Sequence, residues 1–156
     1  MEQVKESIDW NMVSEVELIY KSKVKASQRP QVKTVAAVHE FLKANWDENK
    51  IELVEQFKVV LLNRAYRVLG LFETSTGGQT GTVADPKMIF TTALKMNANS
   101  IILAHNHPSG NLDPSQADKQ LTEKIKNAGL FLDITVIDHM ILTSESYYSF
   151  ADEGLL

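Results

Sequence analysis

Ile101–Asp118 reads IILAHNHPSGNLDPSQAD. An apolar run ends in His105 and His107, one residue apart, and after a Pro-Ser-Gly turn Ser115 and Asp118 stand three apart. The apolar run, residues 100–105, has the length and composition of a buried strand. The segment 113–129 has the punctuation of a helix, with Asp113 as N-cap, Pro114 at the first helical position, Gln116 completing a capping box and Gly129 as the stop. A strand feeding a helix through a short turn puts both histidines at a carboxyl strand end, where α/β sheets carry their ligand sites. Two residues apart in extended backbone, they project to one side. Capping gives Asp113 a structural role and leaves Ser115 and Asp118 on one helical face. If that face turns toward the strand end, two imidazoles and one carboxylate converge. Three such ligands with a fourth position open are the pattern of a catalytic zinc.

Working outward, strands and helices alternate through the second half. Asp85–Pro86 opens a helix to about Asn97, and 133–143 is a long strand before the closing SYYSFADEGLL. Upstream, EQFKVVLLN (55–63) and RVLGLFETS (67–75) form a hairpin across Asn63–Tyr66. Val35, Val38, Leu42 and Trp46 recur at helical spacing over 34–46. In 13–24, Val16, Leu18 and Tyr20 alternate with charged residues as in a half-buried strand, and Lys21, Lys23 and Lys25 read as its solvated face. GGQTG (77–81) lacks the Lys-Ser/Thr of a phosphate loop and reads as a turn. The pattern predicts one α/β domain over 13–156, a mixed β-sheet flanked by helices, preceded by a polar segment 1–12.

Composition narrows the chemistry. The 156 residues are 44% hydrophobic and 23% charged, enough to bury a core in a single domain. With no cysteine, disulfide scaffolds, thiol nucleophiles and cysteine-ligated metal sites are excluded. A net charge of −4 offers no footprint for nucleic acid. No signal-like segment or membrane-length apolar run is present, so the expected location is cytoplasmic. No feature specifies an oligomeric state.

His-x-His-x7-Ser-x2-Asp, with HNHPSG and PSQAD inside it, resembles the JAMM signature of MPN-type (JAB-domain) metalloproteases. FKVVLLN, PSQADKQLTEKI, DHMIL and YYSFADEGLL further resemble the RadC-like branch of that family, over nearly the whole chain. The resemblance implies an α/β fold related to that of the cytidine-deaminase-like zinc enzymes, whose cysteine-ligated motif this chain cannot build. It implies Zn²⁺ held by His105, His107 and Asp118, with Ser115 stabilising a tetrahedral oxyanion. It also implies an upstream glutamate that accepts a proton from the zinc-bound water. Glu55, opening an apolar strand, matches that position; Glu73 is the rival and Glu52 a weaker one. The implied reaction is hydrolysis of an amide or isopeptide bond in a peptide or protein substrate.

Of Asp138 and His139, at most one can face such a site, because adjacent strand residues point to opposite sides. His139 reads either as a residue behind the ligands or facing substrate, or as a hydrogen-bonded structural histidine. His39 reads as a surface or boundary residue. Two other functions compete with the hydrolase: a DNA-repair-associated protein and a non-catalytic, metal-stabilised interaction module. The letters HNH do not carry the first, since the nuclease motif of that name spreads its residues along a ββα unit. RadC-like proteins often carry a helix-hairpin-helix segment ahead of this domain, and the chain begins almost at the domain, so weak nucleic-acid binding is expected.

Overall fold

The computed structural model describes residues 10–17, 19–77 and 84–156. After a 3-10 turn at Ala26–Gln28, the elements are α1 (Val35–Ala44), β1 (Gln56–Leu62), β2 (Val68–Thr76), α2 (Pro86–Lys95), β3 (Ser100–Asn106), α3 (Gln116–Phe131), β4 (Thr135–Leu142) and β5 (Tyr147–Ser149). The strands form one mixed sheet in the order β2-β1-β3-β4-β5. Only the β3–β4 pair is parallel, and α3 makes the crossover that a parallel pair requires. The β1–β2 hairpin turns where Asn63 Oδ1 accepts from the N–H groups of Ala65 and Arg67, with Tyr66 in the left-handed region at φ 57°.

Every residue of β1 and β3 is buried, as expected for central strands covered on both faces. Residue parity sorts the core. Phe57, Val59 and Leu61 of β1, with Ile101 and Leu103 of β3, pack against Ile89, Phe90 and Ala93 of α2 and Ile125 of α3. Val60, Leu62, Ile102 and Ala104 pack on the other side with Val38 and Leu42 of α1 and with Trp46. His105 therefore lies on the α3 face of the sheet, in line with Leu103.

Three expectations are corrected. Residues 13–17 and 19–24 form no strand: Val13, Val16, Ile19, Tyr20 and Val24 are exposed, and no ladder pairs the segment. Alternation describes a strand face, but a strand needs a partner for its backbone bonds, and among the described residues none pairs with this segment. Leu18 and most of the 77–81 turn lie outside the described residues. The N-cap of α3 is Ser115 rather than Asp113, in a capping box completed by Asp118. Gly129 does not stop α3 but lies within it. A Cβ there would collide with the Ile134 carbonyl, so glycine is required by close packing rather than by a turn. The Asp85 cap with Pro86 at the start of α2 is as the sequence reads, and in α1 the Thr34 side chain caps the helix.

Candidate metal centre

His105 is the penultimate residue of β3, and His107 follows the strand end, its N–H donating to the Leu142 carbonyl (2.9 Å). Asp118 stands in the first turn of α3. It is held there by Ser115, whose N–H and hydroxyl both donate to Asp118 Oδ2, at 2.7 and 2.6 Å, while the Asp118 N–H donates to Ser115 Oγ at 3.1 Å. These bonds orient the carboxylate, so that Oδ1 lies 3.3 Å from His105 Nε2 and Oδ2 3.8 Å from His107 Nε2. His105, His107 and Asp118 thus offer one ligand atom each within 4.8 Å of one another, a group able to hold a metal ion.

The hydrogen-bond network assigns the imidazole tautomers. Thr122 has one hydroxyl proton and donates it to the Asp118 carbonyl (2.6 Å). Its oxygen must then accept from His139 Nδ1–H, also at 2.6 Å. His139 Nε2, left unprotonated, accepts from His105 Nδ1–H at 2.8 Å. His105 Nε2 is therefore a bare lone pair. His107 reaches the same state separately: its Nδ1–H donates to the Asn111 carbonyl (2.6 Å), which leaves Nε2 without a proton. The two Nε2 atoms lie 2.9 Å apart. Two lone pairs and a carboxylate oxygen in such contact repel unless a cation joins them. Ligands about 2.0–2.2 Å from one tetrahedral ion lie roughly 3.3 Å apart, and the spacings here bracket that value. The donor set fits a divalent metal.

Burial tunes these groups. It holds the His105 imidazole down to about 4, with Asp118 pulling upward and His107 pushing further down. It also lowers the wholly buried His139 well below the usual range, with His105 and His107 adding to the effect. A histidine depressed in the fold binds its proton only on unfolding. Its contribution to stability is complete above about pH 6.5 and is lost as pH falls toward 4. For His105 alone the drop from 6.5 to about 4 corresponds to roughly 3 kcal/mol. Buried Asp138, raised by desolvation, works in the opposite sense near the acid end. Chelator-treated protein is expected to lose on the order of 10 °C in Tm between pH 7 and pH 4.5. A Tm that is flat or rising over that range in thermal scans would refute the buried neutral pair.

The three glutamates are placed differently. Glu55 immediately precedes β1, and its carbonyl accepts from the Gly77 N–H (2.9 Å). The β1–β3 register ends with Phe57 paired to His105, the two rings stacked at 5.9 Å, and Glu55 stands two residues before Phe57. Glu73 belongs to the α1 face. It accepts from Gln56 Nε2 (3.1 Å) and lies 3.7 Å from Lys58 Nζ, whose ammonium sits over Trp46. A bond from the Thr76 hydroxyl, foremost, holds Glu73 below the usual carboxylate range. Glu52 accepts from the Ser144 hydroxyl at 2.5 Å.

Asp138 bonds Ser149 Oγ and the N–H groups of His139 and Ala151, which ties β5 and the following turn to β4. His39 packs against Tyr147, with ring centroids 4.3 Å apart. Sequence reasoning missed two residues. Thr122 had a signal, because it lies one turn after Asp118 on the same helical face. Asn106, between His105 and His107, is wholly buried. It accepts from the Gln56 N–H (2.7 Å) and donates to the Ile51 and Val54 carbonyls, clamping the segment that carries Glu52 and Glu55 onto β3.

Known proteins share this arrangement of sequence. A UPF0758 protein of Flavobacterium johnsoniae is 50% identical over 101 residues, covering 65% of this chain and 44% of its own length. One from Fusobacterium nucleatum is 37% identical over 145 residues, covering 89% of this chain and 61% of its own. One from Leptothrix cholodnii is 37% identical over 130 residues, covering 83% and 57%. The chain thus spans about half the length of the curated relatives it matches. The family model for the RadC-like JAB domain matches residues 32–155, from just before α1 to the penultimate residue, with the histidines, Ser115 and Asp118 inside the match. Signature, mixed sheet and match agree, and the chain belongs to the RadC-like JAB domain family.

Proposed function

We propose that this domain is a zinc-dependent amide hydrolase of the JAMM type, acting on a peptide or protein. The observation that carries this reading is the convergence of two unprotonated Nε2 atoms and Asp118 Oδ1, set by independent hydrogen bonds on β3, the following loop and α3. A bound Zn²⁺ would supply a polarised carbonyl and a more acidic water. The chain's own residues do the rest. Glu55 accepts the proton of the attacking water and returns it to the leaving amine nitrogen. Its place in the sequence supports this role, since Glu55 lies two residues before Phe57, whose ring stacks on His105, whereas Glu73 is bound to Lys58 on the opposite face. His139 and Thr122 keep His105 in the ligating tautomer. Ser115 orients Asp118, and its hydroxyl can serve an oxyanion only by exchanging its bond to the carboxylate. A peptide or protein is proposed over nucleic acid because the net charge is −4. Among the described residues no helix is long and apolar enough to cross a membrane.

The test is incubation of the purified chain with a proteome-derived peptide pool, new amino termini being counted by mass spectrometry. Cleavage should vanish on chelation and return with Zn²⁺. Cleavage indifferent to chelation, or none from metal-replete protein across the pool, would overturn the proposal.

A further inference from the structure

At the carboxyl ends of β3 and β4 a cleft of about 290 Å³ runs from His107 and Pro108 to Glu52 and Ser144. Glu52, Thr143, Ser144 and Glu145 also line a second cavity, of about 410 Å³, which continues over the strand ends to His39 and Trp46 beside α1. The two form one groove leading away from a candidate ligand, and the larger has the size of a small-ligand pocket. Its apolar wall is Trp46, Ile51 and Leu142. Its charges are Glu48, Glu52 and Glu145 against Lys43 alone.

The other nearby cations do not neutralise that rim. Lys58 is tied to the Asn45 carbonyl (3.1 Å) and to Glu73, and Lys50 to Asp47. Burial, with Lys43 adding, holds His39 below the usual imidazole range and so uncharged at neutral pH. The Ser144 hydroxyl fixes Glu52 where the two cavities meet. Trp46 is 6% exposed, and its indole N–H has no acceptor among the described residues. A wall of this kind accepts an aliphatic stem along its apolar side chains and a cation at the carboxylates.

We propose that this groove is a specificity subsite for a long basic side chain, lysyl or arginyl, of the peptide whose amide lies at the candidate metal centre. The inference rests on the hydrolase reading for what occupies that centre, but its test does not require turnover. Three small probes serve: the N-acetyl, N-methylamide derivatives of lysine, norleucine and glutamate. They are titrated into the ¹⁵N-labelled full chain, and the two indole N–H resonances report. The lysyl probe should move the Trp46 resonance and leave that of Trp10, which is 85% exposed on the N-terminal segment. Norleucyl and glutamyl probes should bind roughly tenfold more weakly. Glu52→Gln combined with Glu145→Gln should erase the preference, the unchanged spectrum of the free variant showing that it folds. Equal binding of the three probes, or a Trp46 resonance that stays still at millimolar lysyl probe, would overturn the subsite. Lysyl binding in a chain that cleaves no peptide supports the subsite and counts against the hydrolase; basic-indifferent cleavage without lysyl binding does the reverse.

Discussion

Glu55→Gln is expected to keep the fold and the metal and to lose amide hydrolysis by about 10²–10⁴-fold, the usual contribution of a general base. Glutamine preserves the shape and the hydrogen-bonding reach of the side chain but cannot take a proton. The comparison that gives this result its meaning is Glu73→Gln, which should leave the rate within about twofold. Glu73 is engaged with Gln56, Thr76 and Lys58 on the α1 face, and its carboxylate is held below the range useful for accepting a proton near neutral pH. Rates are read on the peptide pool, and metal content is measured alongside. A Glu55→Gln chain that cleaves at the parental rate, or a Glu73→Gln chain that does not, would move the base elsewhere.

His107→Ala is expected to abolish stoichiometric metal. The parent should hold one Zn²⁺ per chain by elemental mass spectrometry after dialysis, and the variant essentially none. Removing one of three ligands leaves His105 Nε2 and Asp118 Oδ1, 3.3 Å apart, without the third donor that closes the set. His107 is partly exposed and follows the strand, so the substitution opens no large core cavity, and circular dichroism should confirm an intact fold. Full metal retention in a folded variant would refute the ligand assignment. Substituting His139 should act differently. Its ring sits behind His105 and fixes a tautomer, a role whose loss commonly costs about 10–100-fold in metal affinity rather than abolishing binding.

Much of this was written in local pattern. The unbroken burial of 56–62 and 100–106 follows from their apolar runs, and the two faces of the sheet follow from residue parity. The Asn63 turn and the caps at Thr34 and Asp85 are local chemistry that a single side chain can settle. The cap of α3 was not settled so. Asp113, Pro114, Ser115 and Gln116 allow two overlapping helix starts, and the choice fell to the one in which Ser115 also fixes Asp118. The segment 13–24 failed for the opposite reason: its alternation fits a strand, but whether a neighbour lies beside it is not a local property.

The spacing of His105, His107, Ser115 and Asp118 by itself determined which donors this protein can bring to a metal, because strand parity and helical pitch are properties of any polypeptide backbone. What only the tertiary structure decided is how those donors are supported. Strict alternation along β4 would place His139 on the side of Ile137, which packs toward α1. Instead the parallel register slips between Ile101 and Ile102, pairing Val136 with the first and Asp138 with the second. This irregularity turns His139 to the α3 face, where it meets His105 and Thr122. Such a slip depends on how two strands far apart in sequence settle against each other and against α3, a balance of packing and hydrogen bonding to which no single segment holds the key.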